Sequence, residues 1–331
     1  MSYISVIGAG SWGTTLACLL SDKGYDVTLW VHEKELAEEI NNTRINRIYL
    51  PDTILPDNLK VTSSIDVTVK RARYVVNAVP AQFTRAVFKE ALPYMPDQTI
   101  IISASKGIER GTLLTVSSIL KELSAHPVAV LSGPSFAKEV IKKLPAAVTL
   151  AAEDKNIGYM LQEVFNLNNF RVYTHDDIIG VEIGGALKNV MAIAAGISDS
   201  LGLGNNARAT LITRGLAEMT RLGIAMGAKE RTFSGLSGIG DLVLTCTSPL
   251  SRNYTVGAKL GQGLKLKDIL NQTKSVAEGV ATAESAYDLS KKYNIEMPIV
   301  EQVYKVINED KEPVLAVKDL MDRSLKTEFY E

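Results

Sequence analysis

Residues 3–17 read YISVIGAGSWGTTLA and decide how the rest of the chain folds. The β-branched run before Gly8 predicts a buried strand, and the residues after Gly13 predict a helix. Gly8 permits a tight turn, Gly10 leaves the backbone open to a pyrophosphate, and Gly13 lets the helix lie close to the strand. The free N–H groups of that helix would face the phosphates. The stretch therefore predicts the first β-α unit of a dinucleotide-binding sheet.

The next strand is predicted at residues 26–31, DVTLWV. Glu33 lies about 20 residues beyond Gly13, where the dinucleotide fingerprint places an acid that binds the ribose. With no arginine at position 32 or 33 to meet a 2′-phosphate, these residues favour NAD over NADP. Two other interpretations stay open: His32 and Glu33 on a solvated turn, and a glycine turn that serves only β-α packing.

Composition limits the possible functions. The chain has 331 residues, which favours two domains, and its 36 basic and 37 acidic residues give no net field to attract nucleic acid or an anionic membrane. Two cysteines, and three histidines without ligand-like spacing, argue against a disulfide framework and a metal site and fit a reducing cytoplasm. We expect no signal peptide, because the N-terminus lacks a basic leader, and no apolar run reaches membrane-spanning length.

Strands and helices alternate as far as residue 175, which predicts a doubly wound, mostly parallel α/β sheet. Further strands are predicted at 59–62, 74–79, 99–103, 128–131, 146–151 and 170–173, helices at 63–70 and 157–166, and a proline-marked loop at 49–56. Lys106 follows one central strand and a small-residue loop, 132–137, follows the next, so both loops are placed at a ligand crevice. A solvated loop lysine is the alternative for Lys106.

The pattern changes near Asp177, which predicts a dinucleotide-binding domain at 1–177 and a helical domain at 178–331. Residues 178–200 predict one long buried helix, followed by a loop at 202–209 and a helix at 210–222. Lys188 stands in the middle of the apolar helix, where a buried ammonium is costly unless it has a partner. Function is favoured for this lysine over snorkelling to the surface.

Two later stretches carry polar groups. Residues 233–242 form a glycine-punctuated turn that ends on Asp241. Residues 251–253, Ser-Arg-Asn, stand at the predicted start of a helix that runs to 260, where arginine, amide and backbone donors make a good anion site. The alternatives are a helix N-cap for Asp241 and an ordinary surface position for Arg252.

Together these stretches closely resemble the NAD(P)-dependent glycerol-3-phosphate dehydrogenase family, bacterial type. The resemblance rests on GAGSWGTTLA at 8–17, SASKGIE at 103–109, LSGPSFAKEV at 131–140, EIGGALKNVMAIAAGISDSLGLGNNARATLI at 182–212, LSGIGDLVLTCTS at 236–248, SRNYTVG at 251–257 and VAEGVATAES at 276–285. It covers nearly the whole chain in the family's order. His32 stands where many members carry arginine, which leaves the choice between NAD and NADP open.

The resemblance implies a Rossmann domain followed by an all-α, substrate-binding domain like that of 6-phosphogluconate dehydrogenase. It implies reversible reduction of dihydroxyacetone phosphate to sn-glycerol 3-phosphate with NAD or NADP, for glycerophospholipid synthesis, and a possible homodimer. The catalytic residues would be Lys188, Lys106 and Asp241. Substrate contacts would be Lys106, Gly133, Ser135, Lys188, Asp241, Ser251, Arg252 and Asn253. Cofactor contacts would be Gly8, Gly10, Ser11, Trp12, Gly13, His32, Lys106, Ala137, Arg252, Val276 and Glu278.

Two other functions fit parts of the sequence. A related dehydrogenase that acts on a 3-hydroxy acid would need an anchor for a carboxylate. A non-catalytic dinucleotide sensor would keep the glycine turn but have little reason to keep Lys188 inside an apolar helix. Spacing alone does not bring Lys188, Asp241 and Arg252 together, so their grouping rests on the resemblance. The sequence leaves oligomeric state, feedback control and domain closure undetermined.

Overall fold

The computed structural model describes residues 3–271 and 277–328. Its strands are β1 (Tyr3–Ile7), β2 (Asp26–Trp30), β3 (Ile45–Asn46), β4 (Leu50–Ile54), β5 (Lys60–Thr62), β6 (Tyr74–Asn77), β7 (Ile100–Ser103), β8 (Val128–Ser132), β9 (Ala146–Ala152) and β10 (Phe170–His175). Eight of them form one sheet in the order β10-β9-β8-β7-β6-β1-β2-β5. All pairings in this sheet are parallel except that of β8 with β9. The predicted mostly parallel sheet is therefore confirmed.

Seven helices accompany the sheet: α1 (Ser11–Asp22), α2 (Lys34–Thr43), α3 (Ile65–Val69), α4 (Ala81–Ala91), α5 (Val116–Leu123), α6 (Ala137–Val140) and α7 (Lys155–Phe165). Alternate residues of the central strands face opposite sides of the sheet. Val76 and Ile102 belong to one buried cluster, whereas Val75 and Ile101 belong to another. Helices thus cover both faces, as the doubly wound prediction requires.

The rest of the described chain is helical: α8 (Ile178–Ser200), α9 (Gly204–Ala225), α10 (Asp241–Thr247), α11 (Arg252–Gly261), α12 (Leu266–Asn271), α13 (Glu278–Lys292), α14 (Pro298–Asn308) and α15 (Pro313–Met321). Short 3-10 turns lie at Leu92–Tyr94 and Glu230–Ser234, and a π-helical turn lies at Leu236–Gly240. α8 packs against α9, α10, α11 and α13. By length and composition α8 is apolar enough to cross a membrane, but 94% of its most apolar window is buried inside the protein.

The predicted loop at 49–56 is wrong. Its central residues form β4, which pairs antiparallel with β3 in a separate two-stranded sheet. Pro51 is compatible with this arrangement, because a two-stranded hairpin consists of edge strands whose outer N–H groups need no ladder partner.

The predicted loop at 202–209 is also wrong in its extent, because α9 begins at Gly204. Arg208, in the first part of α9, donates from Nε to Asp199 Oδ1 at 3.0 Å, and its Nη2 lies 2.7 Å from Asp199 Oδ2. Asp199 is near the end of α8. This ion pair holds the two helix ends together and outweighs the weak helix propensity of the neighbouring asparagines.

Candidate active site

The glycine turn between β1 and α1 has the predicted shape. Gly8 has a φ of +112°, and a Cβ there would lie 2.8 Å from the backbone of Ala78. A Cβ on Gly13 would lie 1.9 Å from the Gly8 carbonyl oxygen, so only glycine lets α1 approach the turn this closely. Around Gly10, by contrast, a Cβ would meet no heavy atom within 4 Å among the residues described. The open backbone that a pyrophosphate needs is therefore present.

The residues that follow the turn connect it to the helical part. Ser11 donates from Oγ to the Tyr49 carbonyl at 3.0 Å and accepts from Arg252 Nη2 at 3.1 Å. Trp12 packs against the core, with its ring centroid 6.2 Å from that of Phe170. Arg252, the first residue of α11, thus contacts the glycine turn after β1, although the residue itself is exposed.

Lys188 lies in the middle of α8 and is 7% exposed. Its Nζ donates to Asp241 Oδ1 at 2.7 Å and to Thr245 Oγ1 at 2.8 Å. The side chain does not snorkel to the surface. Asp241 and Thr245 are both on α10, which packs against α8.

Lys106 binds the second oxygen of the Asp241 carboxylate. Its Nζ donates to Asp241 Oδ2 at 2.5 Å and to the Gly133 carbonyl at 3.2 Å. The Lys106 side chain is 16% exposed, whereas that of Asp241 is only 1% exposed. A solvated loop lysine and an N-cap aspartate are therefore both wrong interpretations, because Asp241 lies inside the first turn of α10 and Gly240 is its N-cap. The fold brings Lys106, Lys188 and Asp241 into one cluster.

The cluster alters the acidity of its members. Burial lowers the pKa of the Lys188 ammonium to about 8; Asp241 acts against this shift, and the positive charge of Lys106 adds to it. Burial opposes ionisation of Asp241, but the ammonium groups of Lys106 and Lys188 hold the pKa of its carboxyl below the ordinary value. The site therefore combines a carboxyl group whose pKa is lowered by two cations with a lysine whose pKa lies below its ordinary value.

Glu278 faces the same region from the start of α13. Burial raises the pKa of this carboxyl to about 7, and the nearby cations Arg252, Lys106 and Lys188 act in the opposite direction. The predicted cofactor residue Glu278 thus lies within electrostatic range of both lysines. Its predicted companion Val276 lies outside the described residues.

The predicted anion-binding residues at the start of α11 also have structural contacts. Ser251 is the N-cap of α11, and its Oγ accepts from Tyr254 N at 3.2 Å. Asn253 Oδ1 accepts from Gly279 N at 3.0 Å and so fastens α11 to α13. α11 begins at Arg252 and ends at Gly261, close to the predicted bounds.

The remaining predicted residues follow β2 and β8. Gly133 has a φ of +146°, and its carbonyl accepts from Ser135 Oγ at 3.0 Å as well as from Lys106. Ala137 begins α6, and its carbonyl accepts from Thr15 Oγ1 at 3.5 Å. His32 is exposed, with its ring centroid 5.7 Å from that of Trp30. Ser135 thus lies on the loop that contacts Lys106, Ala137 begins the short helix after that loop, and His32 lies beyond the end of β2.

Thr245 was missed by the sequence reasoning. Its hydroxyl accepts a hydrogen bond from Lys188 and donates one to the Asp241 carbonyl oxygen at 2.6 Å. Its position four residues after Asp241 on a helix was an available signal, because such residues share a helix face.

Within the two described stretches, no group of three or more His, Cys, Asp or Glu side chains is placed to hold a metal ion. Cys18 and Cys246 are buried, and burial raises the pKa of each thiol to about 12.

The glycine turn, the doubly wound sheet and the helical part that follows it define a class. They are the features of a two-part dehydrogenase with a dinucleotide cofactor.

Comparison with known proteins gives the family. Residues 3–158 match the NAD-dependent glycerol-3-phosphate dehydrogenase N-terminus, and residues 177–318 match the C-terminus of the same family. The chain belongs to the NAD-dependent glycerol-3-phosphate dehydrogenase family. NAD or NADP is its cofactor.

Individual relatives match this chain over nearly their full lengths. Glycerol-3-phosphate dehydrogenase [NAD(P)+] from Syntrophotalea carbinolica is 54% identical, over 98% of this chain and 99% of the relative. The enzyme of the same name from Geobacter sulfurreducens is 54% identical, over 98% of both chains. The crystal structure of glycerol-3-phosphate dehydrogenase from Coxiella burnetii is 40% identical, over 97% of this chain and 99% of that chain, with a TM-score of 0.94.

Proposed function

We propose that the protein catalyses the reversible, NAD(P)H-dependent reduction of dihydroxyacetone phosphate to sn-glycerol 3-phosphate, with Lys188 as the group that transfers the proton. The observation that carries this proposal is the sharing of one buried carboxylate, Asp241, by Lys188 at 2.7 Å and Lys106 at 2.5 Å. Two ammonium groups that share one carboxylate leave a net positive charge in this cluster.

The turn after β1 fits a dinucleotide. The open space at Gly10, the positive φ of Gly8 and the N-terminus of α1 provide a cradle of backbone donors for a pyrophosphate. Arg252, which contacts Ser11, adds a cation to that cradle. Trp12, His32, Ala137, Val276 and Glu278 are the other proposed contacts. When bound, the nicotinamide supplies or accepts the hydride.

Lys188 supplies the proton. Reduction of a ketone builds negative charge on its oxygen, and a protonated amine placed there stabilises that charge and neutralises it. Burial brings the pKa of Lys188 to about 8, so the ammonium form dominates at neutral pH and the amine becomes accessible just above it. In the opposite direction the neutral amine accepts the proton from the alcohol.

Asp241, Thr245 and Lys106 determine the position and the charge state of the Lys188 amine. The Asp241 carboxylate fixes the ammonium by a hydrogen bond and opposes the effect of burial on its charge. Thr245 occupies a second direction around Nζ, which limits how the amine can turn. Lys106 adds positive field where charge develops on the substrate oxygen.

The phosphate of the substrate is the remote anchor. We assign it to the first turn of α11, which begins at Arg252, with Ser251 and Asn253 on either side of that residue. Lys106, Gly133 and Ser135 bound the crevice on the side of the sheet. Binding energy from this anchor would hold the carbonyl carbon in place for reaction.

We also propose a domain boundary at residue 177, a cellular compartment and a biological role. The division at residue 177 is supported by β10, which ends at His175, by α8, which begins at Ile178, and by the separate apolar clusters of the two parts. We assign the protein to the cytoplasm, as a possible homodimer without a nucleic-acid partner, and to the supply of glycerol phosphate for phospholipid synthesis.

The decisive experiment is a substrate profile with purified protein. Oxidation of NADH and of NADPH is followed by absorbance with dihydroxyacetone phosphate, with dihydroxyacetone and with a 3-oxo acid. We expect turnover with the phosphorylated ketone and a loss of at least about a hundredfold in kcat/KM without the phosphate, since hydrogen bonds to charged groups contribute about 1.5–3 kcal/mol each. Preference for the 3-oxo acid would overturn the proposal, and absence of turnover with every ketone would favour a sensor.

A further inference from the structure

Glu182 is a buried carboxylate outside the cluster described above. It lies on α8 before Lys188 and is 6% exposed. Its Oε1 accepts from Ser117 N at 2.8 Å, and its Oε2 accepts from the Ser117 hydroxyl. Ion pairs among the described residues do not include it. Burial raises the pKa of this carboxyl, while the bonds from Ser117 act in the opposite direction.

The partner of Glu182 is the first turn of another helix. α5 begins at Val116, and its N-cap residue Thr115 makes no side-chain capping bond. The N-terminus of a helix has unpaired N–H groups and a partial positive charge, so a carboxylate there is stabilising. Glu182 therefore caps α5 from a helix that is distant in the sequence. A buried carboxylate is costly, and the bonds from Ser117, together with the Thr115 hydroxyl and the charge of Lys121, offset part of that cost.

The cap joins α8, which carries Lys188, to the helix that follows the loop of Lys106. α5 follows the loop that contains Lys106, and a β-bridge between Ile108 and Thr115 ties that loop to the start of α5. On the other side, α8 carries Lys188. Glu182 thus connects α8, which carries Lys188, to α5, whose first residues are tied to the Lys106 loop.

The packing of α8 against Lys106 also depends on the position of α8. A Cβ at Gly185, on α8, would lie 2.7 Å from Ser132 Oγ and 3.5 Å from Lys106 Cγ. The helix therefore lies against the stem of Lys106 with little clearance. A small shift of α8 along its axis would change both this contact and the position of Lys188.

We propose that Glu182 is a positioning residue for the reaction: by capping α5 from α8, it sets the separation at which Lys106 and Lys188 both reach the oxygens of Asp241. Removal of the cap lets α8 move relative to the Lys106 loop, so the two ammonium groups no longer meet Asp241 together. The proposal rests on the proposed role of Lys188 as the proton-transfer group.

The test compares Glu182→Ala, Glu182→Gln and Glu182→Asp with a matched control, Glu218→Ala. Glu218 is also a buried carboxylate that caps a helix, since it accepts from Ile299 N at 2.8 Å and Val300 N at 3.2 Å at the start of α14. It makes no contact with the lysine cluster. For each variant we would measure thermal stability, NADH affinity, kcat and KM, the pH profile of kcat, and the pKa of Lys188 by NMR of reductively methylated lysines.

We expect Glu182→Ala to lower kcat about tenfold or more, since misplacement of about 1 Å is enough for such losses. NADH affinity should change little, and the pKa of Lys188 should fall because contact with Asp241 weakens. Glu182→Gln should retain kcat within about threefold, because an amide accepts from Ser117 N and donates to its hydroxyl. Glu218→Ala should lose stability with an unchanged kcat and pH profile.

Equal kcat and equal pH profiles for Glu182→Ala and Glu218→Ala would overturn the proposal. Should Glu182→Ala not fold, Glu182→Asp decides, because its shorter side chain cannot keep both bonds to Ser117, whereas Ser117→Ala retains the backbone N–H that Glu182 binds: a lower kcat with a lower Lys188 pKa supports the positioning role, and wild-type values for both refute it. The NMR titration also distinguishes a failure of the proposed function from a failure of the proposed role of Glu182. A wild-type protein that does not reduce dihydroxyacetone phosphate refutes the function, while the response of the Lys188 pKa still tests the cap.

Discussion

Replacement of Asp241 by asparagine perturbs the centre of the lysine cluster without changing its shape. In the wild-type protein, burial brings the pKa of Lys188 to about 8, and the Asp241 carboxylate keeps it from falling further. Asparagine removes that negative charge but leaves the burial and the repulsion from Lys106. Buried lysines without an ionic partner reach pKa values of about 5–6, so we expect the pKa of Lys188 to fall by about two units.

The magnitude follows from the titration curve. An amine with a pKa of about 8 is about 90% protonated at pH 7, whereas one with a pKa of about 6 is about 10% protonated. Because reduction needs the ammonium form, activity is present below the Lys188 pKa and lost above it. Asp241→Asn should therefore reduce dihydroxyacetone phosphate about tenfold more slowly at pH 7 and regain much of the loss near pH 5.

The assay is the pH profile of kcat for ketone reduction at saturating NADH. Loss of the carboxylate also leaves buried Lys188 without its ionic partner, which costs about 3–5 kcal/mol of stability, so the rates are measured well below the unfolding temperature. Asp199→Asn is the control, because Asp199 is a largely buried aspartate that pairs with Arg208 away from the cluster. A profile for Asp241→Asn with its midpoint still near pH 8 would refute the reasoning.

Other positions give independent expectations. Gly10→Ala should weaken NADH binding without lowering the melting temperature, whereas Gly13→Ala should destabilise the fold by about 1–3 kcal/mol, because its methyl group would meet the Gly8 carbonyl; equal effects of the two in calorimetry and NADH titration would contradict this. Arg252→Ala should raise the KM for dihydroxyacetone phosphate about ten- to a hundredfold and leave the KM for dihydroxyacetone unchanged; steady-state kinetics that show equal losses for both would remove it from the phosphate site. Burial raises the pKa of Glu218 to about 7, so its stabilising contribution is complete below about pH 4.3 and is lost as the pH rises through 7. In urea titrations, the free energy of unfolding of the wild-type protein should decrease between about pH 5 and pH 7. Glu218→Gln should make this decrease smaller, and an unchanged pH dependence would contradict a pKa of about 7 for Glu218.

Elements that are apolar and continuous were predictable from the sequence. The run at 99–103 predicts β7, found at Ile100–Ser103, and the run at 178–200 gives the bounds of α8 correctly. Both are buried on all sides, so their own hydrophobic pattern determines them. The reversed direction of β9 relative to β8 was not predictable, because an apolar run does not reveal which way its strand points.

Elements that depend on partners elsewhere were predicted less well. The hairpin of β3 and β4 has a proline and exposed side chains, and the early start of α9 depends on the ion pair between Arg208 and Asp199. In the same way, Lys106, Lys188 and Asp241 are far apart in the sequence, and their contacts are made by tertiary packing. The resemblance to a family supplied their grouping, whereas Thr245, which contacts Lys188, and Glu182, for which we propose a positioning role, were not identified.

The most direct test of the account is the reduction of dihydroxyacetone phosphate by Lys188→Ala, with Lys155→Ala, an exposed lysine at the start of α7, as the control. Single-turnover rates with bound NADH isolate the chemical step from product release. Loss of a general acid predicts a rate lower by about 10²–10⁴ with the NADH affinity preserved, while Lys155→Ala keeps the wild-type rate. A Lys188→Ala rate within a few fold of wild type would contradict the claim that this buried ammonium transfers the proton.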